Sequence, residues 1–319
     1  MIVGDGKQQY EWQENWAKTP DTAATQENGR THGVAEAKDG SVYVFHQSTP
    51  AVLVYDRDGN LTRSFSSDFP QAHGLTLVTE ADGVEYLWLT DEGTGRVAKL
   101  TLDGETVQTI VRPDLPLYET ARYSPTWVAV NPKNGDIWVT DGYGSGVIHR
   151  YRADGAYVSS IDGTEDGAAG RFQCPHAVFF DTRGGKTPEL YVADRGNHRV
   201  QVYDGDGGFK RVFGEDVFVH PCAFATFGDT LYVPELFGRL AVLDGDDRLI
   251  GYVGEDTEIV GDGSWPSGRV PAYPNLPTEQ VRPGKFIAPH GVGTGTDGSI
   301  YVVEWYYPGG RITRLTPVQ

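Results

Sequence analysis

Six short runs of β-branched and aromatic residues punctuate the chain. Leu87–Asp91, Ile137–Asp141 and Leu190–Asp194 share one shape, and Val42–His46, Leu231–Glu235 and Ile300–Glu304 complete the set. Their residue mix is that of half-buried strands. An apolar stretch precedes each: Gly33–Ala35, Gly74–Leu77, Trp127–Val130, Ala177–Phe180, Ala223–Ala225 and Gly291–Gly293. A third strand such as Val200–Tyr203 usually follows, then an Asp/Gly turn and often a fourth strand. The repeat is therefore a four-stranded meander of about 40–70 residues, the size of a propeller blade. No stretch sustains apolar residues at i, i+3, i+4 and i+7, so helices are not expected. The predicted fold is all-β: a six-bladed β-propeller of four-stranded antiparallel blades, one domain spanning residues 1–319.

The ends and turns fit that pattern. Gln9–Gln13 alternates polar and aromatic residues ahead of the first blade, while the chain runs out at Arg311–Leu315 with no outer strand left for the last. The N-terminal strand is expected to close the last blade and cover a sheet edge. The clusters Asp56–Gly59, Asp204–Gly207 and Asp244–Asp247 recur where a hairpin must reverse with positive φ, and read as turns rather than calcium loops. The Pro- and Gly-rich stretch 255–285 is too long for a simple connection and reads as a cap over one face or a wrap around the rim.

Charge and composition narrow the partners. With 44 acids against 27 bases and a net charge of −17, polyanionic nucleic acid and anionic lipid are disfavoured. No apolar run reaches the ~18 residues of a membrane span. Two cysteines, Cys174 and Cys222, exclude a disulfide framework and suggest a reducing compartment, although the two could bond to each other. Met1–Gly6 lacks the basic and apolar regions of a signal peptide. The expectation is a cytoplasmic monomer with a small-molecule substrate.

Aligning the inner strands places His32, His73, Thr126, His176, Cys222 and His290 at one position. His73, His176 and His290 come from alternate blades, so their directions differ by about a third of a turn. Three imidazoles converging on an axis leave an open fourth position, the arrangement of catalytic zinc, and nitrogen donors favour a transition metal over calcium. His32 is a candidate fourth ligand or a hydrogen-bonding support for the others. The second strands end on the same face. Their last residues are His46, Asp91, Asp141, Asp194, Glu235 and Glu304, a mainly acidic ring suited to bonding loop amides. Beyond it lie Gln47, Glu92, Gly142, Arg195, Leu236 and Trp305, then Ser48, Gly93, Tyr143, Gly196, Phe237 and Tyr306. Positions that vary by blade can present different groups to one substrate. His46, Glu92 and Trp305 are the candidate substrate contacts, and Tyr143 and Arg195 the candidate catalytic groups.

Ala193–Tyr203 resembles an NHL repeat, and the chain from about residue 70 to 305 is similar to the peptidyl-α-hydroxyglycine α-amidating lyases. The matching pieces are Ala72–Leu75, Ser124–Val130, Val139–Tyr143, Phe172–His176, Val192–Arg195 and Pro289–Val292. The resemblance implies zinc on His73, His176 and His290, a catalytic tyrosine at Tyr143 and a catalytic arginine at Arg195. It implies cleavage of a carbinolamide C–N bond to an amide and glyoxylate. Where the family has an acid that helps bind a structural calcium, this chain has Gly291, although Leu75 matches a backbone-carbonyl ligand of that site. The family's other catalytic arginine, in the first blade, has no match, Arg30 lying nearby without the motif. Three functions follow: a metal-dependent lyase on an α-hydroxyglycine-type or related hydroxy substrate, a lactonase-like propeller hydrolase, or a non-catalytic NHL binding module. Lactonase-like sites prefer carboxylate and Asn ligands, which sets them apart from this histidine-rich ring.

Overall fold

The computed structural model describes residues 1–6, 8–163, 170–258, 281–305 and 309–318. Tyr306 and most of the 255–285 stretch lie outside them. Six antiparallel sheets, with strands following one another in chain order, make the six blades of a β-propeller. The chain forms two compact units. One is Phe69–Ala223, holding blades two to four; the other is Met1–Asp68 with Phe224–Gln319, holding blades one, five and six.

The second strand of a blade is buried at every position in Val42–His46 and in Glu189–Asp194. Half-burial was the expectation from the residue mix. A propeller blade covers both faces of its middle strands with neighbouring blades, so polar residues there need partners rather than water. Outer strands carry the exposure, as in Leu61–Phe65 and Tyr157–Ile161. Within the first unit Val34, Val44, Leu53, Tyr301 and Ile312 form one core. Within the second, Trp88, Val97, Val128, Ile137 and Tyr151 form another.

The last blade is closed by the N-terminal segment. Tyr10–Ala17 pairs antiparallel with Arg311–Pro317, matching Trp12 to Leu315 and Ala17 to Ile312. A short strand, Ile2–Val3, adds a fifth member that the sequence pattern did not reveal. The Asp/Gly clusters are hairpin turns. Asp56 Oδ1 accepts from the amides of Asp58 and Asn60 at 3.0 and 2.9 Å, and Asp204 Oδ1 from those of Asp206 and Gly208 at 2.9 and 2.8 Å. Their carboxylates are thereby engaged in turn formation. One short helix departs from expectation: Ala23–Asn28, whose Thr22 cap accepts from the Thr25 amide at 3.2 Å.

Four inner strands share an irregularity. In Thr31–Glu36 the pairing slips by one residue between Thr31 and Gly33, and in Pro289–Thr294 between Pro289 and Gly291. The same slip falls between Ala72 and Leu75, and between Pro175 and Val178. Each slip is a β-bulge, and each contains a histidine of the ring: His32, His290, His73 or His176. The third blade, with Thr126 at this position, pairs without a slip from Trp127 to Val130. A bulge bends its strand and re-aims one side chain, a recurrent device beside active sites. After His73 and His290 the next residue is a glycine, and there the next inner strand lies close. A Cβ on Gly74 would stand 2.4 Å from the Thr126 carbonyl oxygen, and one on Gly291 2.3 Å from that of His32. At Gly291 this backbone has no room for a side chain.

Candidate active site

In the second unit the bulges of blades two and four turn His73 and His176 toward each other, ring centroids 4.8 Å apart. Both rings are fully buried. His73 Nδ1 lies 2.8 Å from the Thr126 carbonyl oxygen, and His176 Nδ1 2.7 Å from that of Cys222. A carbonyl only accepts, so each Nδ1 carries the proton and each Nε2 presents its lone pair. Burial holds His73 neutral, its pKa lowered to about 3 against the raising effect of the Thr126 carbonyl.

Both Nε2 atoms face one hydroxyl, that of Tyr143, at 3.2 and 3.0 Å. Tyr143 as a whole is 38% exposed, while its hydroxyl is met by the two imidazoles and Arg195. Arg195 donates from Nη1 to the tyrosine oxygen at 3.2 Å, its guanidinium lying 5.2 Å from the ring centroid. Burial pushes the phenol above its ordinary range, and Arg195 pulls it back.

The loop that carries Tyr143 is fastened from below. Asp141 accepts from the Ser124 amide at 2.6 Å and from the Ser145 amide at 2.8 Å, and Tyr118 donates its hydroxyl to the same carboxylate at 2.8 Å. The Tyr118 oxygen also stands 2.5 Å from His149 Nε2, whose Nδ1 meets Ser160 Oγ at 2.7 Å. Neither Tyr118 nor His149 was legible as part of the site. They lie on a 3₁₀ turn and a third strand, outside the aligned ring positions. Burial lowers His149 to about 4, against Asp141. The unfolded chain therefore binds a proton at His149 below about 6.5 that the folded chain refuses until about 4. Stability is expected to fall as pH drops through that window. In His149→Gln the fall should be shallower by up to roughly 1.4 kcal/mol per pH unit, read from melting curves between pH 7 and 4.5.

The other acids of the ring serve their own loops. Asp91 accepts from the amides of Gln71 and Thr94 at 2.6 and 2.7 Å. Asp194 holds the Gln173 amide at 2.7 Å and Arg199 Nε at 2.9 Å, and Glu235 accepts from Arg239 at 2.6 Å. Of the candidate substrate contacts in this unit, Glu92 accepts from Arg122 and Ser124, both at 3.2 Å.

In the first unit His32 and His290 lie edge to face, centroids 4.5 Å apart, with His290 Nδ1 3.1 Å from the His32 carbonyl oxygen. His290 thus repeats the anchoring of His73 and His176, and His32 supplies the anchor. His46 is buried, with its pKa lowered to about 4 by desolvation. Trp305 lies under Arg30, whose guanidinium is 5.0 Å from the indole centroid. Both cysteines are free thiols.

The model of the NHL repeat matches residues 172–203, which contain Cys174, His176 and Arg195. Human NHL repeat-containing protein 3 is 29% identical over 78% of this chain and 73% of its own length. The probable peptidyl-α-hydroxyglycine α-amidating lyase pgal-1 of Caenorhabditis elegans is 28% identical over 56% of this chain, which spans 57% of that protein. Among solved structures, a streptogramin B lyase superposes with a TM-score of 0.61 at 15% identity, covering 98% of this chain and 99% of its own, a likeness of fold. Among the described residues no helix is long and apolar enough to cross a membrane. The chain carries an NHL repeat within a six-bladed β-propeller, and over more than half its length it is similar to an α-amidating lyase.

Proposed function

We propose that this chain is a metal-dependent lyase that cleaves α-hydroxyglycine-type carbinolamides to an amide and glyoxylate. The observation that carries the reading is a convergence: the Nε2 atoms of two buried imidazoles, His73 and His176, meet at the Tyr143 oxygen. Burial keeps His73 neutral, the form in which an imidazole ligates a metal. Each far nitrogen is anchored to a backbone carbonyl, the usual support of a metal-bound histidine. The donor set is imidazole nitrogen, suited to zinc and its neighbours. The ligands carried over from the sequence are His73, His176 and His290, with His32 as the support for His290. A divalent ion held there would supply Lewis acidity toward the substrate hydroxyl.

This chain's own groups account for the proton movement. The carbinol O–H bond gives its electrons to the new carbonyl, and the C–N bond breaks with its pair on the amide nitrogen. The Tyr143 oxygen takes the hydroxyl proton and returns it to that nitrogen. To accept a proton it must begin as phenolate, and Arg195 is the cation placed to stabilise that anion against burial. Arg195 then also faces charge developing on the substrate.

Elemental analysis of the purified full chain, with glyoxylate release from N-benzoyl-α-hydroxyglycine, tests the reading. One equivalent of zinc or another divalent transition metal and measurable release are expected. A chain that takes up no such metal and releases no glyoxylate when metal is supplied would sink it. The likeness to NHL repeat-containing protein 3 supports a second reading, a non-catalytic propeller module, which that null result would favour.

A further inference from the structure

We infer that Cys174 is a positioning residue, its sulfur holding the Arg195 guanidinium in the plane that points Nη1 at Tyr143. The inference deepens the lyase reading and rests on it for its catalytic consequence. Arg195 Nη2 donates to Cys174 Sγ at 3.3 Å while Nη1 donates to the Tyr143 oxygen at 3.2 Å. Two contacts on the two amino groups of a rigid planar fork define its orientation; one alone leaves it free to swing.

Other arginines of the acidic ring are fixed differently. Arg199, Arg239 and Arg311 each direct Nε to the carboxylate at the end of their own blade's second strand, Asp194, Glu235 and Glu304. Arg195 Nε is buried without a hydrogen-bond partner among the described residues. A carboxylate beside Arg195 would orient it better and also neutralise it. A thiol sulfur is a weak, uncharged acceptor that orients the cation and leaves its charge available to Tyr143.

The backbone around Cys174 supports the same role. Cys174 adopts φ +58°, a left-handed conformation uncommon for a residue with a side chain. It is held there from both sides. The Gln173 amide donates to Asp194, the Arg195 amide donates to the Cys174 carbonyl at 3.2 Å, and the Gly196 amide to that of Gln173 at 2.7 Å. The segment that presents the thiol and the turn that presents the guanidinium are therefore fastened to each other as one unit.

The test compares wild type, Cys174→Ser and Cys174→Ala as full-length, metal-loaded chains. Two readouts are used: glyoxylate release from N-benzoyl-α-hydroxyglycine, and phenylglyoxal modification of Arg195 followed by peptide mapping. Melting curves confirm that each variant is folded. In Cys174→Ala, kcat should fall about tenfold with KM within about twofold of wild type, a loss of orientation rather than of binding. Cys174→Ser, whose hydroxyl can accept the same bond, should keep most of kcat. Arg195 should react with phenylglyoxal several-fold faster in the alanine variant alone. Equal modification rates in all three chains would overturn the inference. A wild-type chain that releases no glyoxylate overturns the lyase reading, and the modification rates then still decide whether Cys174 holds Arg195.

Discussion

Tyr143→Phe is expected to lower glyoxylate release by about a thousandfold while the chain stays folded and loaded with metal. The magnitude follows from the usual worth of a positioned acid–base group, about 10²–10⁴ in rate. The substitution removes one oxygen, the atom shared by His73, His176 and Arg195, and keeps the ring that packs beside them. His176→Ala should differ in kind. It removes a donor whose Nδ1 is anchored to the Cys222 carbonyl, so metal content and turnover should fall together. Measuring metal and kcat on both variants separates proton transfer from ligation. Activity in Tyr143→Phe within tenfold of wild type would take Tyr143 out of the chemistry.

Deleting residues 1–18 should lower the melting temperature by more than roughly 10 °C or leave the chain insoluble. The deletion removes the strand that pairs with Arg311–Pro317 and bares that strand's edge. Trp12 is buried against Phe286, centroids 4.6 Å apart, and Tyr10 is buried with its hydroxyl 3.2 Å from that of Tyr232. Losing one large buried aromatic costs about 3–5 kcal/mol, and a domain's whole stability is about 5–15 kcal/mol. Glu14 also leaves Arg311, to which it lies 3.2 Å away. A milder variant, Trp12→Ala, keeps the edge paired and isolates the packing contribution. An unchanged melt after the deletion would mean that the N-terminal strand is not needed for closure.

Strand order, blade number and closure by the N-terminal strand were legible because each blade repeats one pattern of apolar and polar residues, and six copies average out local ambiguity. The histidine positions were legible for the same reason: alignment across repeats finds a column that no single blade reveals. Tyr143 and Arg195 came from their column and from the resemblance together. Cys174, Tyr118 and His149 escaped, since none occupies a position that recurs from blade to blade. Burial of the second strands on both faces was also missed. Apolar alternation records which residues avoid water, and cannot say that a neighbouring blade covers the second face.

The amino-acid sequence by itself determined that this protein is an all-β propeller with four histidines at the starts of its inner strands. Period-two alternation and turn chemistry are local properties, and local properties are written along the chain. The tertiary structure alone decided where those histidines aim. A one-residue slip in pairing shifts which atoms oppose each other across two strands, and nothing in one strand's own alternation records it. Each slip turns an imidazole out of its ladder, and carbonyls from neighbouring inner strands then fix its proton on Nδ1 in His73, His176 and His290.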